Sequence, residues 1–370
     1  MNRCTGCSVG QKTMTPEVDA AQGGATGLDA ARLESYLRSR VAGLQGAMRV
    51  EAVAGGQSNP TFFVTFDNAR LVLRKRPTGA VLPSAHAVDR EYRVQSALAG
   101  TPVPVAAMVL FEADESVIGT QFYVMQRVDG VVHADGRLSA LAPEQRRPLW
   151  LEAAHTLAAI HATDLDATGL HSFGRPGHGL ERQLARWSKQ WELSRVVPDP
   201  DMEWLIGWLR ERLPPATAST LVHGDFRLGN CIAAPDRPAI AAVLDWELST
   251  LGDPLSDLAH SCVYGWFVRP DEYGGLMGVD LAAEELPTMA EFVDAYERAR
   301  RSDQRLSVYH LVFALFRNAA IFEGIAARAR DGSAAAANAA EVGRLASTFT
   351  QRAIGLGRDA GAAERLGLAA

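Results

Sequence analysis

Short runs of apolar, β-branched and aromatic residues open the patterned part of the chain. They are Met48–Val53, Thr61–Phe66 and Arg70–Arg74, separated by a Gly55-Gly56 turn and an Asp67-Asn68 turn. Runs of this kind, bounded by turn residues, predict strands. Two more follow at Val105–Phe111 and Gln121–Val128, after a helical stretch over about 85–98 that Gly100 and Pro102 close. Ahead of them all, Leu33, Tyr36, Leu37 and Val41 recur near helical spacing and predict a helix over 28–45. This part of the chain predicts a five-stranded antiparallel sheet with one helix between its third and fourth strands.

Beyond the Asp129-Gly130 turn the pattern becomes helical. Helices are predicted over 144–162, 179–192, 201–212, 254–266, 288–301, 305–330 and 334–354. One β interruption breaks the series, at Leu221–Ile232 and Ala239–Leu244, joined by the turn Pro235-Asp236-Arg237-Pro238. The expectation is an α+β chain with a disordered tail over 1–27, a β lobe over 28–127 and a mainly helical lobe over 128–370.

Composition narrows the classes. Of 370 residues, 47% are hydrophobic and 22% charged, the balance of a globular protein with a real core. The net charge of −6 disfavours non-specific binding to nucleic acid. The four cysteines are no disulfide scaffold, and the Cys4/Cys7 pair in the tail lacks both the further ligands of a zinc site and the strand and helix of a redox motif. The tail also lacks the apolar core of a signal peptide. The longest apolar stretch, Leu311 to Phe322, is broken by Arg317 and Asn318. These features predict a cytoplasmic protein with neither nucleic acid nor membrane as partner, and they leave the oligomeric state open.

The chemistry concentrates in Leu221-Val222-His223-Gly224-Asp225-Phe226-Arg227-Leu228-Gly229-Asn230, which has the spacing H-x-D-x-x-x-x-N. A second acid, Asp245, ends an apolar strand twenty residues after Asp225. Phosphoryl transfer needs a carboxylate to orient and deprotonate an acceptor hydroxyl, and oxygen ligands to hold magnesium against the nucleotide phosphates. A loop followed by a hairpin brings such groups together. Asp225 is the candidate base, Asn230 and Asp245 the candidate magnesium ligands, and His223 a residue that holds the loop. Arg227 either steadies a phosphate or forms a surface salt bridge. Asp253 and Asp257 suit the N-terminus of the following helix and would brace the loop.

At His223–Asn230, Leu244–Glu247 and Leu251-Gly252-Asp253-Pro254-Leu255-Ser256-Asp257-Leu258-Ala259, the chain resembles the aminoglycoside phosphotransferase and choline kinase-like family, distant relatives of protein kinases. The resemblance runs over about residues 28–355 and implies a protein-kinase-like two-lobed fold, ATP and magnesium as cofactors, and a small-molecule hydroxyl as acceptor. Histidine-glycine-aspartate stands where protein kinases carry histidine-arginine-aspartate, and Asp245-Trp246-Glu247 replaces their aspartate-phenylalanine-glycine. Both departures point toward small-molecule substrates.

The resemblance also ranks the nucleotide-side residues. Gly55, Gly56, Gln57, Ser58 and Asn59 form either a phosphate-approaching loop or an ordinary hairpin turn. Either Arg74 or Lys75 would meet the phosphates and pair with Glu91, since neighbouring strand residues face opposite ways; the family pattern favours Arg74. Adenine would lie against backbone groups near Gln126 and Val128, bordered by Met125.

The acceptor region is expected within 255–330, where acids and arginines mix and do not select a polycation such as an aminoglycoside. Leu82–Val94 and Phe316–Ile325 resemble the kinase-like domain fused to certain animal acyl-CoA dehydrogenases. That implies a 4-hydroxyacyl-CoA as acceptor, with the helical-lobe arginines meeting its phosphates. An antibiotic kinase and a nucleotide-binding pseudokinase are the competing readings.

Overall fold

The structure is a computed structural model that describes residues 28–53, 59–77, 87–175, 177, 179–331 and 342–368. Helix α1 (Ala30–Arg40) starts at Asp29, whose side chain accepts the Arg32 N–H at 3.0 Å. It ends well before residue 45. Gly43 and Gly46 follow with φ of 77° and 74°, a left-handed geometry that stops a helix. Then come β1 (Arg49–Ala52), β2 (Thr61–Phe66), β3 (Ala69–Lys75), α2 (Val88–Leu98), β4 (Met108–Glu112) and β5 (Phe122–Gln126). The five strands pair antiparallel in the order β1-β2-β3-β5-β4. Strand β4 starts later than the sequence pattern suggests, and its register shifts between Met108 and Leu110.

Alternation decides what each face of the sheet buries. Phe62, Val64, Phe66, Leu71, Leu73 and Val124 face α1 and pack with Leu33 and Leu37. Val72, Tyr123 and Met125 face the other way and pack with Val88 of α2. Each fully buried side chain of this size contributes roughly 1.5–3 kcal/mol.

The second lobe contains β6 (Val131–Val132), α3 (Pro143–His161), α4 (Gly179–Ser194), α5 (Pro200–Glu211), β7 (Thr220–Val222), β8 (Cys231–Ala233), β9 (Ile240–Val243), β10 (Thr250–Gly252), α6 (Pro254–Trp266), α7 (Pro270–Tyr273), α8 (Met289–Arg300) and α9 (Val308–Arg330). Two further helices, Leu345–Arg358 and Ala362–Leu366, close the described chain. The expected β interruption is two small sheets instead of one hairpin. β7 pairs with β10, and β6, β8 and β9 form a three-stranded sheet. The segment 223–230 crosses from β7 to β8, and the segment 244–249 crosses back from β9 to β10. Two crossings between the same two sheets bring distant residues side by side.

Helix α9 is long and apolar enough to cross a membrane, yet Leu311 through Ala320 are buried inside the lobe, as in a central core helix. Helix α2 ties the lobes together. Arg90 donates to Phe173 O at 2.9 Å and lies 4.2 Å over the Phe173 ring, and Arg93 donates to Ser172 Oγ at 2.8 Å.

Candidate active site

The segment from His223 to Asn230 is fixed from below by buried groups. Asp257, on the first turn of α6, accepts the His223 N–H at 2.7 Å and the Gly224 N–H at 2.9 Å. Its Oδ2 also lies 3.2 Å from His161 Nε2. Burial alone would raise this carboxyl, but the hydrogen bond with His161, with the His223 and His260 rings close by, brings it down to about 2. Asp253 caps the same helix by accepting from Leu255 N and Ser256 N. The His223 ring donates from Nε2 to Leu244 O at 2.8 Å and accepts the Asp225 N–H at Nδ1, 3.3 Å away. It packs 4.8 Å from the Trp246 ring, so one imidazole joins both crossings.

Gly224 has φ of 85°, and a Cβ there would stand 2.7 Å from Leu248 O. No side chain fits, which accounts for glycine where protein kinases carry arginine. Its carbonyl accepts from Arg317 Nη2 of α9 at 2.6 Å. Asp225 follows with its side chain about a quarter exposed, at 26%. The Asn230 Nδ2 donates to Asp225 O at 2.8 Å and to Asp225 Oδ2 at 2.9 Å, which leaves the amide oxygen of Asn230 free of both contacts. Asp225 Oδ1 accepts from His260 Nε2 at 2.8 Å. Burial would raise the Asp225 carboxyl, but the hydrogen bond from His260 and the neighbouring Arg227 guanidinium hold it well below the usual carboxylate range. It is an ionised acceptor throughout the physiological range.

Asp245 adopts φ 62° and ψ 56°, a left-handed conformation that costs a non-glycine residue roughly 1–3 kcal/mol. The turn aims its carboxylate at the β lobe, where Oδ1 accepts from Arg74 Nη2 at 2.7 Å. The Arg74 Nε lies 3.0 Å from Glu91 Oε2. Glu91 is buried on α2 and also accepts from Tyr123 OH at 2.9 Å and Asn59 Nδ2 at 2.6 Å. Burial drives the Glu91 carboxyl up to about 7 against the pull of Arg74 and the Tyr123 hydrogen bond; Asp245 and Glu247 nearby push the same way as burial. Arg74 thus links the helix of one lobe to the second crossing of the other.

A loop carboxylate, a neighbouring amide oxygen and a second carboxylate beneath a basic strand form the outline of a phosphate-handling site. The family model described as the phosphotransferase enzyme family matches residues 49–309. The chain belongs to that family. The chain is 39% identical over 327 residues to acyl-CoA dehydrogenase family member 10 of Mus musculus, covering 87% of this chain and 30% of that protein. It spans under half the length of the first curated relatives it matches. Among solved structures, a Ralstonia eutropha chain described as a candidate aminoglycoside phosphotransferase superposes with a TM-score of 0.81 at 38% identity, covering 90% of this chain and 98% of that one. The aminoglycoside phosphotransferase APH(4)-Ia, solved with AMP-PNP and hygromycin B, has a TM-score of 0.58 at 16% identity over 88% of this chain and 99% of its own, a likeness of fold.

The fold separates the residues singled out in the sequence by position. Arg74 points into the cleft toward Glu91 and Asp245. Lys75 is buried on the opposite face of β3, opposite Phe122, with its ammonium disfavoured by burial. Asn59 buries its side chain against Glu91; the rest of its loop, Gly55, Gly56, Gln57 and Ser58, lies outside the described residues. Gln126 spends its N–H on Ala107 O and Arg127 its N–H on Arg70 O, both 2.8–2.9 Å, so Val128 is the next residue of the connector with a backbone donor to offer. Arg227 holds its Nε 3.8 Å from Asp225 Oδ2 and its guanidinium 5.7 Å over the Tyr264 ring, so it belongs to the cleft and not to a remote surface pair.

A small cavity beside the loop 223–230 is lined by Phe226, Arg227, Ser261 and Tyr264, and also by His133, Trp150 and Ala153. One expectation needs correction. Arg317, grouped by sequence with arginines facing an anionic substrate, is buried beneath Gly224. Its charge was visible as the break in an apolar run, and a cation inside an apolar helix implies a buried partner. His260 was also missed. It lies three residues after Asp257, on the same helix face, and that spacing was its sequence signal.

Proposed function

We propose that this phosphotransferase moves the γ-phosphate of ATP to a small-molecule hydroxyl, with Asp225 as base and Asn230 and Asp245 as magnesium ligands. The observation that carries the reading is the convergence of Asp225, Asn230, Asp245 and Arg74, from two crossings and a sheet strand, on one cleft. The donor set fits magnesium. The Asn230 amide turns its nitrogen to Asp225 and leaves its oxygen to ligate, and Asp245 offers a carboxylate. Magnesium prefers hard oxygen donors and needs few from the protein when phosphates supply the rest. No cluster of three or more His, Cys, Asp or Glu is found among the described residues, in keeping with a site of that sparse kind.

Magnesium, when bound, supplies neutralisation of the charge on the phosphates. The chain's own residues do the rest. Asp225 accepts the hydrogen bond of the acceptor hydroxyl and orients its oxygen for in-line attack. As the new O–P bond forms and the bond to the β-phosphate oxygen breaks, the hydroxyl proton passes to Asp225 and the electron pair to the departing diphosphate. A carboxyl held well below its usual range is a weak base, so its main contribution is orientation, with proton transfer late in the step. Arg74 offers a guanidinium to the phosphates, and adenine lies against the connector near Val128.

We further infer that the acceptor is a 4-hydroxyacyl-CoA or a chemically similar anionic thioester. The relatives named as acyl-CoA dehydrogenase family members support this. Transfer of labelled phosphate to a panel of 4-hydroxyacyl-CoAs, aminoglycosides and macrolides tests both levels. Label in the thioester supports the acceptor; label in a drug overturns it while leaving the phosphotransfer reading intact.

A further inference from the structure

His260 takes no part in the roles assigned above, yet it makes the shortest side-chain contact to the proposed base. It sits on α6 with its ring buried and packed 4.9 Å from the Tyr264 ring. Nε2 is 2.8 Å from Asp225 Oδ1. The other ring nitrogen, Nδ1, is buried and has no hydrogen-bond partner among the described residues.

That asymmetry fixes the tautomer. An ionised carboxylate only accepts, so the hydrogen must be on Nε2. A second hydrogen on Nδ1 would be a buried donor with nothing to receive it. The charged groups facing the ring are Asp225 from the loop, Asp257 from its own helix and Arg317 from α9. The two acids favour the imidazolium, while burial and the Arg317 guanidinium oppose it, and the net direction is toward the neutral ring. A neutral ring with one fixed N–H is a permanent donor and not a proton relay.

We propose that His260 is a positioning residue for phosphoryl transfer: its Nε2–H pins Oδ1 of Asp225, so that Oδ2, on the Arg227 side, meets the acceptor hydroxyl. Two donors then fix the carboxylate, His260 at one oxygen and Asn230 at the other. A carboxylate free to rotate would spend part of its time misaligned, and small misplacements at a reacting centre cost about 10²-fold in rate.

This inference rests on Asp225 being the base, and its test separates the two. Turnover of MgATP with a 4-hydroxyacyl-CoA, and without it as hydrolysis, is measured for wild type, Asp225→Asn, His260→Leu and His260→Gln. Thermal melting checks that each variant is folded, and imidazole nitrogen NMR reports the tautomer. The expected result is a kcat about 10²-fold lower in His260→Leu with the KM for MgATP unchanged. His260→Gln, which keeps an N–H near the same place, recovers most of that loss. The NMR should show a neutral ring protonated at Nε2, its proton signal altered in Asp225→Asn. Wild-type turnover in Asp225→Asn would sink the base assignment, and the positioning role with it. An inactive Asp225→Asn beside a fully active His260→Leu would overturn the positioning role alone. So would equal losses in the Leu and Gln variants, which would mark mere packing, or an Nδ1–H tautomer.

Discussion

Arg74 Nη2 lies 2.7 Å from Asp245 Oδ1, a contact that joins residues 171 positions apart and closes the cleft between the lobes. The same guanidinium meets Glu91, so one side chain reads the position of a helix, a strand and a loop at once. Arg74→Met should weaken binding of MgAMP-PNP by about 10- to 100-fold, the worth of a charge-assisted hydrogen bond. Calorimetric titration checks this. Lys75→Met, on the other face of β3, should leave nucleotide affinity within about threefold.

Asp245→Ala and Asn230→Ala remove the two proposed magnesium ligands. Each variant should bind AMP-PNP with an affinity that no longer rises when magnesium is added. Titrations with and without magnesium decide it: an unchanged magnesium dependence in either variant removes that residue from the ligand set.

Asp257 makes a pH prediction whose sign is fixed. Its carboxyl is depressed to about 2 in the folded protein, below its ordinary value. Its contribution to stability is therefore present above the unfolded value and lost as pH falls toward 2. Asp257→Asn should destabilise the protein at pH 7 by about 2 kcal/mol or more, with the gap to wild type narrowing below pH 4. Urea melts across the acid range measure it, and a gap independent of pH would contradict the assignment.

Arg317 stands under the loop, with Gly224 O as its acceptor. Arg317→Met leaves Gly224 O without its donor and should cost about 1–3 kcal/mol of stability, a loss that thermal melting measures. Turnover should fall, and amide hydrogen exchange at Gly224 and Asp225 should speed up by more than elsewhere in the lobe. Unaltered exchange would show that the loop does not depend on Arg317.

Much of this was legible in the chain. The runs of β2 and β3, the Asp67-Asn68 turn and the spacing from Asp225 to Asn230 to Asp245 each carry a local physical signature, in alternation, turn chemistry or hydrogen-bonding type. What the pattern hid was set by tertiary context. Strand β10 has three residues, too few to show a period, and it exists because β7 offers a partner. Whether Arg74 or Lys75 faces the cleft depends on the sheet's register, which a single strand does not state. The roles of His260 and Arg317 come from helices α6 and α9 crossing beneath the loop, a packing relation no local window contains.

The central claim is that Asp225 is the base of a magnesium-dependent phosphotransferase. The most direct measurement is transfer of labelled γ-phosphate from MgATP into 4-hydroxyacyl-CoAs, aminoglycosides and macrolides by wild type and Asp225→Asn, with MgATP affinity measured alongside. The account predicts label in an acceptor with wild type, a loss of about 10²-fold or more in Asp225→Asn, and nearly equal MgATP affinity in the two. Transfer by Asp225→Asn at the wild-type rate would contradict it.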